Sequence, residues 1–477
     1  MIFIVLKIYK KTKIISTLGP ASEDPQKIKK LIESGVNVFR FNMKHGTVEW
    51  HENAIEKVQK IANELEYSLG ILIDLQGPEI RIQTKNGEEL EIKEGQEIIF
   101  THVFKNDNDL IRIPHKSFFD ALEEGDKFSI DDGFIRFVVT KKETNRLTAG
   151  TLDDAIVKNN KGLNLVGKDI DLPSMIDDDI ERLHLAVRKK VDYVALSFVR
   201  TKHDVIALKQ EMKRKKINAQ IVSKVESQKG LDNIEEIIDE SDVVMIARGD
   251  LGIEVPMEQI TYHQKQIINK CRLAHKPVIV ATQMLQSMIE YPLPTRAEAT
   301  DVANAVFDGT DAVMLSGETA TGKYPLKAVE AMSKILAFNE EKAEVTKFNT
   351  IPTNATELIV RAAEDIAEHA FEPKTKFIVV FTETGYTAKV LSSFRPKIPI
   401  IAVTHNQKTV ETLTLSYGVT PVKVKFPKSG RLISPDAVLQ KIKELKLVHK
   451  GDNILLIHGQ HWQKPGQTNA IVFLPVE

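Results

Sequence analysis

Short runs of β-branched and apolar residues recur along the chain, and the segments between them have apolar positions spaced three and four apart. The runs are KIISTLG, VNVFRFN and SLGILIDL, and, after a break, DYVALSF, AQIVSKVE, DVVMIARGD, PVIVATQM and AVMLSGE. Segments such as DIERLHLAVRKK and EQITYHQKQIINKCRLAH carry the helical spacing. Strand and helix in strict alternation predict parallel βα units. Eight such strands close a (β/α)8 barrel, and these runs are apolar on both faces, as a barrel wall covered by helices requires.

The break, roughly Glu79 to Asp169, has a different texture. LEIKEGQEIIFTH, LIRIP, KFSIDDGFIRFVVT and RLTAGT alternate in polarity, with turns at Asn86-Gly87 and Asp132-Gly133. That pattern predicts a small all-β domain inserted after the third barrel strand, above the mouth, where it can act as a lid. From about Thr346 a further α/β pattern follows, with strands FIVVFT, IIAVT, VTPVKVK, NILLIHG and AIVFLPV. The expected division is residues 1–78 and 170–345 for the barrel, 79–169 for the inserted domain and 346–477 for a separate C-terminal α/β domain.

Charged residues inside this pattern need an explanation. In IVSKVE, Lys224 and Glu226 are two apart on an otherwise apolar strand, so both point to the same side. Burying them requires partners: each other in a plain ion pair, a metal, or an anionic ligand. Collecting the polar residues at the C-terminal ends of the eight strands gives Thr17, Arg40, Asn42, Asp74, Ser197, Lys224, Glu226, Asp250, Thr282 and Ser316. Chemistry on this fold gathers at those ends. Glu226 and Asp250 are hard oxygen donors suited to Mg²⁺ or Mn²⁺, and Arg40 and Lys224 beside them would neutralise a substrate anion. Phosphoryl transfer needs little more than that positioning and charge cancellation. In ARGDLG, Gly249 and Gly252 flank Asp250 and allow backbone N–H groups to approach an anion closely.

Composition narrows the setting. A 477-residue chain exceeds one ordinary core, and a formal net charge of -1 leaves no footprint for nucleic acid or an anionic membrane. A single cysteine, Cys271, excludes an intramolecular disulfide and suits a reducing, cytoplasmic setting. The apolar start of MIFIVLKIYKKTK is too short for a membrane span and lacks the charge order of a signal peptide, so it reads as a leading strand or an extension.

The segments RFNMKHG, DLQGPEIR, KGLNLVG, SKVES, ARGDLG, ATQMLQSM, PTRAEATDVANAV and LSGETATGKYP resemble, in order and spacing, the signature segments of the pyruvate kinase family. The resemblance spans nearly the whole chain. It implies transfer of a phosphoryl group from phosphoenolpyruvate to ADP, in the reversible reaction of glycolysis, with a divalent metal. It further implies that Arg40 and Lys224 hold the phosphoryl group, that Glu226 and Asp250 bind the metal, and that the amides of Gly249 and Asp250 receive the substrate carboxylate. Thr282 matches the position associated with protonating the enolate carbon, through water, with Ser316 in the same proton network; for Ser316 a bond to a strand-end carbonyl is an equal alternative. Asn42, His45, Arg81 and Lys161 fall on the nucleotide side, His45 equally readable as a loop-fixing hydrogen bond. The family is usually a homotetramer.

The chain departs from the family at one informative place. Lys44 and Leu75 stand where potassium-requiring members have serine and threonine, in a site completed by Asn42 and Asp74. A lysine ammonium is a tethered monovalent cation, and Asn42, Asp74 and Glu79 are its expected acceptors, which predicts a weak or absent K⁺ requirement. The alternative is a solvated lysine beside an altered K⁺ site. In the C-terminal domain, TETGYT (Thr382, Thr384, Gly385 and Thr387 among its residues) precedes a helix, and in the family this loop binds the phosphate of an allosteric sugar-phosphate effector. A plain helix cap through Thr384 explains it nearly as well. Two rival functions use the same residues: a metal-dependent aldolase or lyase acting on pyruvate enolate, and a non-catalytic phosphoenolpyruvate sensor.

Overall fold

Eight parallel strands pair in sequence order until the last closes on the first. They are β1 (Lys13–Thr17), β2 (Val36–Asn42), β3 (Gly70–Asp74), β4 (Tyr193–Leu196), β5 (Gln220–Val225), β6 (Val243–Ala247), β7 (Val278–Ala281) and β8 (Ala312–Leu315). Each lies within one of the eight apolar runs. Alternation explains the double-sided apolarity: Ile15, Val38, Leu72, Val222 and Ile279 fill the barrel interior, while their neighbours Ile14, Phe39, Ile71, Ile221 and Val278 pack outward in the core shared with the helices. Each such side chain contributes about 1.5–3 kcal/mol on burial. The computed structural model describes residues 10–131, 133–165, 170, 172–345, 347, 351–369, 375–424, 435–444, 447–459 and 468–477. The expected leading strand before Lys10 lies outside them.

Between β3 and β4 the chain builds a seven-stranded, mostly antiparallel sheet and a separate two-stranded pair, Leu90–Ile92 with Ala155–Val157. Their core is distinct from the barrel's and centres on Phe100, Phe118, Phe128 and Phe137. Asn86 and Gly87, at φ 57° and 76°, make the turn their dipeptide signals. The chain then re-enters the barrel through α1 (Asp177–Lys189). Later helices that bear on the site are α2 (Arg248–Glu254), α3 (Ile260–Leu273) and α4 (Arg296–Asp308).

The C-terminal sheet has five strands, β9 (Thr375–Phe381), β10 (Ile400–Thr404), β11 (Val419–Lys423), β12 (Asn453–Gly459) and β13 (Thr468–Pro475), in the order β11-β10-β9-β12-β13. The last is antiparallel. Its contact with the barrel is one feature that local pattern does not signal. Leu415, from the connection between β10 and β11, is fully buried in the cluster that fills the barrel interior. Around it Tyr193 donates to the Thr412 carbonyl at 2.9 Å and Lys13 to the Val419 carbonyl at 2.7 Å. Among the described residues no helix is long and apolar enough to cross a membrane.

Candidate active site

The ends of β2, β3 and β5 bring two cations onto one buried carboxylate. Arg40 and Asp74 are on neighbouring strands, and the guanidinium binds Asp74 Oδ2 through Nε at 2.7 Å and Nη2 at 2.6 Å. Its Nη1 donates to the Thr17 hydroxyl at 3.0 Å. Lys224 lies 3.4 Å from the other Asp74 oxygen, 2.9 Å from Glu226 Oε1, and donates to the Ser197 hydroxyl at 2.7 Å. Burial works against the Lys224 charge, but Asp74, Glu226 and Asp250 outweigh it and hold the ammonium above its ordinary pKa. Burial likewise opposes ionisation of Asp74, and Lys224 and Arg40 reverse it, so its carboxyl falls below the usual range. All of these side chains except Thr17 line one cavity of about 470 Å³. The plain ion pair of Lys224 with Glu226 is present, as part of this larger cluster.

The same cavity tests the fit of a divalent metal. Glu226 is buried, and its second oxygen accepts the Phe198 N–H at 2.6 Å. Burial raises its pKa, Lys224 pulls it back, and the charge of Asp250, in the first turn of α2, raises it again. Two carboxylates that disfavour each other's charge in a buried cavity are a donor set that a divalent cation relieves. No group of three or more metal-capable side chains forms among the described residues. A hard divalent cation needs only one or two protein carboxylates and keeps its other positions for water and substrate oxygens. The residues fit the metal.

Thr282 and Gly249 meet at the ends of β6 and β7. The Gly249 N–H donates to Thr282 Oγ1 at 2.7 Å, and that hydroxyl donates to its neighbour's carbonyl, Ala281, at 2.6 Å. The Gly249 amide, expected to receive the substrate carboxylate, here has Thr282 as its acceptor. A side chain at 249 would put its Cβ 3.3 Å from that hydroxyl, a close contact that Thr282 would have to yield to. Thr282 and Gln283 both have positive φ, 67° and 55°, a conformation that side chains disfavour. Arg248 holds it: Nη2 donates to the Thr282 carbonyl at 2.9 Å, and the guanidinium pairs through both ends with Asp301 on α4 at 2.7 Å. The Ser316 N–H donates to Glu318 at 2.7 Å, and the other Glu318 oxygen accepts the Leu285 N–H. Arg248 and Glu318 are inside the ARGDLG and LSGETA segments, yet nothing in the spacing singles them out.

Lys44 does carry a tethered ammonium to this rim, but its partner is narrower than expected. Its Nζ binds Glu79 at 2.9 and 3.1 Å. Asn42 Oδ1 instead accepts the Lys44 backbone N–H at 3.2 Å, and Asp74 is committed to Arg40 and Lys224. Leu75 is buried. Glu79 also receives Arg81 at 2.9 Å, while Arg81 Nη1 donates to the Asn160 carbonyl. His45 is exposed at the surface, yet partial desolvation, then Lys44, Arg81 and Arg40, hold its imidazole below the ordinary value. Lys161 pairs with Asp131 at 2.7 Å within the inserted unit and is not in the cavity lining. In TETGYT the N-cap position is Gly385, at φ 88°, and Thr384 is exposed without capping. The Gly385 N–H donates to Thr382 Oγ1 at 2.9 Å, and Thr387 bonds Thr468.

Known proteins resemble this chain across both the barrel and the C-terminal unit. Residues 9–329 match the family described as pyruvate kinase, barrel domain, and residues 357–473 match pyruvate kinase, alpha/beta domain. A pyruvate kinase of Sporosarcina psychrophila is 40% identical over 471 residues, 97% of this chain and 80% of that protein. One of Staphylococcus aureus (strain MRSA252) is 38% identical over 470 residues, with the same coverage. The crystal structure of a pyruvate kinase from Cryptosporidium parvum superposes with a TM-score of 0.91 at 32% identity, covering 99% of this chain and 97% of that one. Matches of this extent across barrel and C-terminal unit mean that the chain belongs to the pyruvate kinase family, divalent-metal-dependent enzymes that transfer the phosphoryl group of phosphoenolpyruvate to ADP.

Proposed function

We propose that the transfer runs in the cavity above Asp74, with Arg40 and Lys224 as its two fixed cations. The observation that carries this is the sharing of one buried carboxylate between them, one oxygen each. Asp74 fixes their spacing, so neither cation must be reorganised as charge shifts on the phosphoryl group. Glu226 and Asp250 would hold Mg²⁺ or Mn²⁺, which when bound supplies further positive charge to substrate oxygens. A substrate carboxylate arriving at Gly249 competes with Thr282 for its N–H. Taking that amide frees an acceptor position on Thr282 Oγ1, which then orders a water that carries the proton to the enolate carbon, since a threonine hydroxyl is itself a poor acid. Arg81 and Lys161 face the nucleotide, and Lys161 exchanges Asp131 for a phosphate when ADP binds.

An assay of pyruvate formed from phosphoenolpyruvate tests the reading. We expect turnover to require ADP, to vanish when divalent ions are chelated, and to return with Mg²⁺ or Mn²⁺. Pyruvate formation without ADP would favour an aldolase or lyase instead.

Potassium is dispensable in this reading, because the oxygens that would hold it are committed and the Lys44 ammonium sits at the rim. In a buffer whose monovalent cation is a bulky organic ion, adding K⁺ should change the rate by less than about twofold, since an ion with no site to prefer shifts nothing. A many-fold rise on adding K⁺ would reject the replacement.

A further inference from the structure

The chain crosses between the barrel and the inserted sheet twice, and one buried carboxylate holds both crossings. Outbound, the backbone leaves β3 through Leu75, Gln76 and Gly77; inbound, it enters α1 through Ile176. Asp179, fully buried in the first turn of α1, accepts the Gln76 N–H on Oδ1 at 2.8 Å. Its Oδ2 accepts the N–H groups of Gly77 and Ile176, each at 3.1 Å. A helix cap serves its own helix. Here two of the three bonds go to a segment more than a hundred positions earlier in the chain.

The outbound crossing is pressed against the site as well as tied. Gly77 has φ +73°, and a Cβ there would fall 2.9 Å from Ser197 and from the Phe198 ring. Ser197 donates to the Leu75 carbonyl at 2.8 Å and receives Lys224. Four positions beyond Gly77 comes Arg81, which pairs with Gly162 next to Lys161 in an isolated bridge. Asp179 thus fastens the point from which both nucleotide-facing side chains are carried relative to Lys224.

We propose that Asp179 is a positioning residue, a hinge clamp that sets the inserted sheet against the barrel so that Arg81 and Lys161 meet the nucleotide opposite Arg40 and Lys224. It rests on the assignment of those two side chains to ADP. In Asp179→Asn one of the two acceptor oxygens becomes an NH₂ group, so the Gln76 bond and the Gly77 and Ile176 bonds cannot all survive.

Hydrogen exchange on the native enzyme is the first test. The Gln76 and Gly77 amides lie outside any strand, yet should exchange at least about tenfold more slowly than the exposed turn amides at Asn86 and Gly87; equal exchange overturns the clamp. In Asp179→Asn that protection should fall while β5 keeps its own, and KM for ADP should rise about tenfold, the scale set by misplacing a binding group. Phosphoenolpyruvate affinity should stay within about twofold, because its cations are on the barrel itself. An unchanged KM for ADP, or equal weakening of both substrates, overturns the proposal. A Lys161→Met enzyme with normal KM for ADP would instead reject the nucleotide assignment, leaving the exchange result to judge the clamp.

Discussion

Replacing Lys224 by methionine is expected to lower kcat by about 10³-fold or more, the scale for losing a cation that stabilises a moving phosphoryl group. Methionine keeps the length of the side chain and removes its charge. Three groups then lose a partner at once: Asp74 at 3.4 Å, Glu226 at 2.9 Å and the Ser197 hydroxyl at 2.7 Å. Arg40 still neutralises Asp74, so the loss should centre on Glu226, whose carboxyl burial and Asp250 already push upward. Breaking a buried pair costs about 3–5 kcal/mol. The variant should accordingly melt earlier than the parent and recover part of that loss when Mg²⁺ is added. Coupled assay and thermal unfolding check both parts. Activity within tenfold of the parent would mean that the phosphoryl group is held elsewhere.

The eight barrel strands were legible because both faces of each are apolar, a local signal that survives without knowledge of neighbours. Lys224, Glu226, Arg40 and Asp74 were legible for the opposite reason, as charges that an apolar strand cannot carry without partners. What the pattern could not supply was pairing across the chain. Lys44 reads as a replacement cation from position alone, but its partner is Glu79 because Asp74 is already taken by Arg40 and Lys224, a competition visible only once β2, β3 and β5 stand side by side. Gly249 is readable as an open amide until β6 and β7 bring Thr282 to it. Asp179 looks like one of three acidic residues in a helical first turn, favoured there by the helix dipole whatever else they do. Leu415 sits in TLTLSYG, which has the texture of a surface connection, and becomes core only because the barrel's interior stands against it.

The same long-range logic makes Arg395 a residue whose removal should cost heavily in stability. It follows the helix Tyr386–Ser393 of the C-terminal unit, and its side chain is almost wholly enclosed beneath the barrel. Nη2 binds Asp311, just before β8, at 2.6 Å; Nε and Nη2 donate to the Gly309 carbonyl, and Nη1 to that of Ser392. The guanidinium lies over the Tyr417 ring at 4.8 Å, two residues from Leu415. Asp311 in turn accepts the Tyr417 N–H, so one arginine anchors both the barrel floor and the segment that fills it. Arg395→Met leaves a buried carboxylate without its cation, which should cost about 3–5 kcal/mol. Arg272 offers partial relief: burial and the charge of Arg395 together push its pKa down to about 9, so losing Arg395 removes a repulsion. Urea unfolding followed by far-UV circular dichroism should report the loss, and Asp311→Asn added to Arg395→Met should restore part of it by removing the stranded charge. A single-variant loss below about 1 kcal/mol would mean that the Arg395–Asp311 pair contributes no more than an exposed one.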